Sequence, residues 1–188
     1  DNYYPVDVLA RLRALDGPGL AGFAPAALVG LSNIPASRVT QFALLVEGPG
    51  GILADIIEKP DPVTAARLGP RTRVSMNAWV FEPDIFEACR HVAPSIRGEL
   101  ELQDAVRYAI RALGTRFRVV PVEAGVLDLS NRGDIAAVAA RLEGIGQGHG
   151  DARRDRRRRR ANTTESTNSR RAYVEQPEMQ ARGRLDRD

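Results

Sequence analysis

The sequence predicts an α/β layered domain, and three observations carry that prediction. Short apolar, partly β-branched runs recur along the chain, helical-period segments lie between them, and 188 residues with 43% hydrophobic content suit one domain with a core. Strands alternating with helices in this way pack as a sheet flanked by helices.

The elements follow in order. Asp1-Asn2-Tyr3-Tyr4-Pro5 reads as the end of a strand entering a helix over 6–15, where Val8, Leu9, Leu12 and Leu15 share a face. Such an opening is what a domain cut at its N-terminal side would show. Gly17, Gly19 and Gly22 punctuate a turn around the apolar stretch 20–24, and Pro25 opens a short helix over 26–29. Runs 41–47 and 52–58, separated by Gly48-Pro49-Gly50-Gly51, predict a hairpin. Pro60 and Pro62 end the second run, and Pro62 starts a helix over 63–68. A strand over 73–81 is followed by a helix over 83–91, with Ile85, Phe86 and Cys89 on its apolar face, and by an amphipathic helix over 102–113. The run 117–122 leads into 126–129, and 134–142 gives a last helix.

Beyond Leu142 the composition changes. Glycines at 144, 146, 148 and 150 precede Arg156 to Arg160 and a Thr/Ser/Asn stretch with few large apolar residues, which cannot offset the entropy of ordering. The expected organisation is a partial domain over 1–143 and an Arg-rich disordered tail over 144–188. The tail holds 12 basic and 7 acidic residues, so the formal charge of +3 belongs to it rather than to the domain. Its arginine run lacks interleaved aromatics, so no specific nucleic-acid binding is expected. Cys89 stands alone and has no intramolecular disulfide partner, and no apolar run approaches the length of a membrane span. No membrane association and a cytoplasmic location are expected.

Few residues point to chemistry by themselves. Lys59 is the single lysine beside 26 arginines, and a compact ammonium suits a point contact to a phosphate better than a guanidinium fork. Glu58 places a hydroxyl-accepting carboxylate beside it, the pair a phosphorylated sugar needs. Asp1 and Asp128 stand at similar strand ends, where ligands bind in α/β sheets and where two aspartates suit magnesium; each also reads as a capping or turn residue. His91 and His149 read as solvated, Cys89 as a buried inert thiol, and Ser95 as a turn serine without a triad setting.

Taken together the motifs resemble the sugar-1-phosphate nucleotidylyltransferase family. Asp1-Asn2 resembles the end of its G-D-N segment, Glu58-Lys59-Pro60 its E-K-P, and 76–81 its N-x-G-I-Y-x-F strand. Residues 94–104 are similar to its P-S-x-R-G-E-L-E-x-x-D segment, and 126–130 to W-x-D-x-G-T. The resemblance implies a Rossmann-like mixed sheet with flanking helices of the nucleotide-diphospho-sugar transferase type, here without the family's N-terminal G-x-G-T-R-L nucleotide loop. It implies transfer of a nucleoside monophosphate from a nucleoside triphosphate to a sugar-1-phosphate, releasing pyrophosphate. In that reading Lys59, Asp1 and Asp128 are catalytic, Glu58, Lys59 and Asn77 bind substrate, and Asp1 and Asp128 hold Mg²⁺. Gln41-Phe42-Ala43 stands where the family usually has a tyrosine-glycine pair, and Trp79 where it usually has glycine, adding bulk near the expected sugar pocket. Without the nucleotide loop the chain by itself is expected to be inactive. The competing expectation is a non-catalytic, truncated or degenerate relative acting as a binding or interaction module. Homo-oligomerisation is left open.

Overall fold

In the computed structural model residues 2–95 and 98–144 are described, and Asp1, Ile96, Arg97 and the tail from 145 lie outside them. Contacts divide the chain into units 1–138 and 139–188. The described strands all belong to the first unit; of the second, helical backbone over 139–144 is described.

The strands are β1 (Asn2–Tyr3), β2 (Gly19–Phe23), β3 (Leu44–Gly48), β4 (Ile52–Ile57), β5 (Val74–Val80), β6 (Arg118–Val122) and β7 (Leu127–Asp128). The helices are α1 (Val6–Arg13), α2 (Pro25–Leu31), α3 (Ala36–Val39), α4 (Pro62–Leu68), α5 (Asp84–Arg90) and α6 (Leu102–Ala112), followed by α7 over 135–144. Five strands order as β2-β5-β3-β4-β6, and β6 returns to lie parallel to β2 while the other pairs are antiparallel. β1 and β7 form a separate antiparallel ribbon. The fold is thus a mixed sheet with flanking helices.

Side-chain alternation sorts the core into two layers. Ala21, Phe23, Leu44 and Val120 pack with Val8 and Leu12 of α1 and Leu28 of α2, whereas Leu20, Leu45 and Val119 pack with Ile85 of α5 and Val106 of α6. Local signals explain several boundaries. Pro25 occupies the first turn of α2, and Asp61 caps α4 by accepting from the Val63 and Thr64 amides at 2.9 and 3.0 Å. Gly50, at φ 71°, turns the β3–β4 hairpin.

Two expectations need correction. The stretch 20–24, read as a turn, lies largely within β2, all five of whose residues are buried between β5 and β6. Its glycines serve close approach: a Cβ at Gly19 would stand 2.6 Å from the Arg118 carbonyl oxygen. Cys89 is exposed, as is Phe86, because α5 turns Ile85 and Ala88 inward instead. α3 had no signal in the sequence beyond Pro35, which stands at its N-cap. His91 does meet solvent, with its ring stacked on Tyr108 and 2.9 Å from Glu87.

Candidate functional site

The carboxyl ends of β2, β4 and β6 gather at one end of the sheet. Phe23 is in register with Val122 and Val74, and Leu44 with both Val74 and Ile57. Glu58 and Lys59 form the bend that leaves β4 at this end, Glu58 half-buried and Lys59 exposed. Pro60 then joins Pro25, Val39, Leu44, Ala65 and Val74 around an apolar cavity of about 290 Å³. Lys59 thus immediately precedes a residue that lines this cavity, at the strand end where ligands bind in α/β sheets.

Backbone strain singles out the same residues. Among the described residues, Lys59 (φ 43°) and Asn77 (φ 58°) are the non-glycine residues in the left-handed region. Asparagine tolerates this conformation, whereas for lysine it costs about 1–2 kcal/mol relative to the right-handed side. Such strain concentrates where a side chain has to be presented to a ligand. At Asn77 the strain accompanies a shift of register between β2 and β5.

The β1–β7 ribbon adds the third part. Asn2 pairs with Asp128 in register. Asn2 donates from Nδ2 to the Met76 carbonyl at 3.1 Å, and the Tyr4 hydroxyl donates to the same carbonyl, which ties the ribbon to the strand residue before Asn77. Asn2 Oδ1 is buried with no hydrogen-bond partner. Burial pushes the Tyr4 phenol above its ordinary range; the Asn2 bond opposes this, and the Asp128 charge adds to it. Asp1 lies outside the described residues.

Asp128 is only 3% exposed. Its backbone is held by the Asn33 side chain, whose Oδ1 accepts from the Asp128 amide at 2.8 Å and whose Nδ2 donates to its carbonyl at 2.7 Å. Ser32 Oγ accepts from the Val126 amide at 2.8 Å, so the two residues after α2 act as a partner strand for 126–128. Gly125 makes the approach feasible, since a Cβ there would lie 2.3 Å from the Leu31 carbonyl oxygen. Both carboxylate oxygens of Asp128 are engaged: Oδ1 accepts from Ser130 Oγ and Oδ2 from Arg38 Nη2, each at 2.7 Å. Arg38 is also bidentate on Asp134, at 3.0 and 3.2 Å. The Arg38 bond holds the Asp134 carboxyl below the ordinary carboxylate range, partly opposed by burial, and the Asp134 bond raises Arg38 in turn.

The magnesium that the resemblance implies needs an accessible carboxylate oxygen and near-octahedral room for a hydrated divalent ion. Asp128 with its present partners offers neither. Among the described residues no three His, Cys, Asp or Glu side chains gather as potential ligands. As they stand, the described residues do not fit a resident metal at Asp128.

The structure thus brings together Glu58, Lys59 and the cavity-lining Pro60 at one strand end, and ties the β1–β7 ribbon that carries Asp128 to Met76, the residue before Asn77, through Asn2. Trp79 stacks on Phe81 with ring centroids 5.3 Å apart and meets Phe117 edge-on, and Phe42 packs on the first core layer, so both bulky replacements are absorbed by packing. Sequence reasoning missed Arg38, Asn33, Tyr4 and Gly125. A glycine directly before an apolar run was the available signal for Gly125; Arg38 is one of many arginines and had none. A second cavity, of about 460 Å³, lies between Asp16, Arg116 and Arg118 at the opposite end of the strands. Among the described residues no helix is long and apolar enough to cross a membrane.

No family model matches the chain. It is 29% identical over 106 residues to UTP–glucose-1-phosphate uridylyltransferase AglF of Haloferax volcanii, covering 56% of this chain and 41% of that protein. It is 36% identical over 69 residues to the low-salt glycan biosynthesis nucleotidyltransferase Agl11 of the same organism, covering 36% of this chain and 17% of that protein. The chain thus spans well under half the length of these curated relatives. Among solved structures, UDP-glucose pyrophosphorylase complexed with UDP-glucose superposes with a TM-score of 0.51 at 17% identity, over 73% of this chain and 48% of that one. The apo form of a UDP-glucose pyrophosphorylase gives 0.52 at 18% identity, over 74% and 47%. These superpositions bear on the fold, and the curated matches on ancestry. In sequence the chain is similar to two nucleotidyltransferases over part of their length, and in structure it shares the mixed α/β fold of UDP-glucose pyrophosphorylases over about half of theirs.

Proposed function

We propose that this chain forms the sugar-phosphate side of a nucleotidyltransferase that moves a nucleoside monophosphate from a nucleoside triphosphate to a sugar-1-phosphate. The observation that carries the reading is the strained backbone at Lys59 and Asn77, the two positions expected to meet the substrate. A phosphate oxygen of the sugar-1-phosphate attacks the α-phosphorus. A new P–O bond forms there, the bond to the bridging oxygen breaks, and pyrophosphate leaves with that electron pair. Positioning and charge neutralisation supply most of the catalysis in such a displacement.

In this scheme the Lys59 ammonium neutralises the sugar phosphate and lowers its repulsion from the triphosphate. Glu58 accepts hydrogen bonds from ring hydroxyls, and Asn77 adds an amide contact to the sugar. Magnesium enters as the counter-ion of the triphosphate, that is, with the substrate. The ribbon that holds Asp128 borders the position of the reacting phosphates. The nucleoside triphosphate and the sugar-1-phosphate are the proposed partners.

The test is pyrophosphate release by the natural polypeptide that carries this sequence, supplied with each nucleoside triphosphate and a panel of hexose 1-phosphates. Loss of a charge-assisted contact worth about 1.5–3 kcal/mol should make kcat/KM for the sugar phosphate on the order of 10- to 100-fold lower in Lys59→Ala. Lys59→Arg should recover only part of it. Release in the parent with unchanged kinetics in the alanine variant removes Lys59 from the site.

A further inference from the structure

The residues around Asp128 do more than fix its place. Its carboxylate is enclosed, with 4% of the side chain exposed, and the group facing Oδ2 at 2.7 Å is the Arg38 guanidinium. Arg38 is itself held by both oxygens of Asp134. Asp134 is in turn oriented by the Ser130 and Asn131 amides at 3.2 and 3.1 Å and forms a capping box with Asn131. A planar fork gripped in this way has little freedom to leave. Arg38 lies in the last turn of α3, directly before Val39 and Thr40, which line the cavity at Pro60.

We propose that Arg38 is the resident cation of Asp128, taking the place at which a divalent metal would otherwise be expected, so that metal binds Asp128 only when the guanidinium is removed. The physical grounds are like-charge exclusion beside a 2.7 Å ion pair and the absence of room for a hydrated ion at an enclosed carboxylate. Arg38 then supplies permanently, independent of metal concentration, the positive charge that stabilises the β7 end of the site. The inference rests on the proposed function only in taking Asp128 as the expected metal residue. Sugar-phosphate binding through Lys59 is a separate measurement, and its failure would leave the metal result standing.

Mn²⁺ serves as the probe, followed by loss of the free-ion electron paramagnetic resonance signal on titration with the 188-residue chain. The parent and Asp128→Asn should bind Mn²⁺ identically, through weak surface carboxylates alone. Arg38→Met should gain a saturable site on the order of tenfold tighter or more, and Arg38→Met/Asp128→Asn should lose it. Saturable Mn²⁺ binding by the parent that Asp128→Asn abolishes overturns the proposal. So does a folded Arg38→Met, with native circular dichroism, that gains no site. If Arg38→Met folds only when Mn²⁺ is added, the metal has replaced the guanidinium and the proposal stands. If it folds under neither condition, the comparison of the parent with Asp128→Asn decides.

Discussion

Gly125→Ala should loosen the segment that carries Asp128. The added Cβ would stand 2.3 Å from the Leu31 carbonyl oxygen, 2.5 Å from its carbon and 2.9 Å from the Leu31 Cβ. All three are closer than folded proteins tolerate, and two of the three atoms are backbone, so no side-chain rotation relieves the overlap. The strand must retreat by the better part of an ångström. That movement stretches the Ser32–Val126 bond and both Asn33–Asp128 bonds, now 2.8, 2.8 and 2.7 Å. Overpacking of this kind costs about 1–3 kcal/mol, and weakening bonds worth about 1 kcal/mol each brings the expected loss to about 2–4 kcal/mol. Urea unfolding followed by circular dichroism measures it as a lower midpoint at unchanged slope. Gly30→Ala is the control on the neighbouring helix: its Cβ meets nothing within 4 Å, and helix propensity should make it more stable by about 1 kcal/mol. A Gly125→Ala variant within about 0.5 kcal/mol of the parent would refute the close approach.

Other consequences arise from the same geometry. Lys59→Gly should be about 1 kcal/mol more stable than Lys59→Ala, because glycine alone escapes the left-handed penalty; both should lose sugar-phosphate affinity, and a glycine variant less stable than the alanine one would contradict the assigned backbone. The Asp134 carboxyl is held low by Arg38, so its contribution is present above the ordinary carboxylate pKa, near 4, and is lost as pH falls below that value. Acid unfolding curves of the parent and Asp134→Asn should therefore converge as the pH falls through the lowered carboxyl pKa; a constant gap between them at every pH would contradict the pairing. Tyr4, raised by burial, acts in the opposite sense: its contribution is complete below about pH 10 and lost above it. Tyr4→Phe should cost about 1 kcal/mol at neutral pH, through the lost bond to the Met76 carbonyl, and should flatten the alkaline limb of the stability curve.

The sequence made the hairpin, α4, β5 and α6 legible because their periodicity and their Gly, Pro and Asp punctuation act locally. It hid β2 for a physical reason. Gly19 and Gly22 look like turn residues, yet here they let a strand lie against β5 and β6, a requirement set by neighbours roughly 50 to 100 positions away in the chain. The phase of α5 was misread because Phe86 and Cys89 are apolar, whereas packing against α6 selected Ile85 and Ala88. At the site, Lys59 stood out by rarity and Asn77 by its motif, and the strained backbone singles out the same two residues. Arg38 could not be found in advance: its meaning lies in a contact 90 residues away, and nothing local separates it from the other arginines.

The central claim is that the strand end at Lys59 receives the phosphate of a sugar-1-phosphate. Its most direct test is a titration of the ¹⁵N-labelled 188-residue chain with α-D-glucose 1-phosphate, monitored by amide chemical shifts. Saturable shifts centred on residues 57–60 and 75–79 are expected, and they should vanish in Lys59→Ala. Shifts confined to the Arg116 and Arg118 cavity at the other end of the strands, or the same shifts in parent and variant, would contradict it.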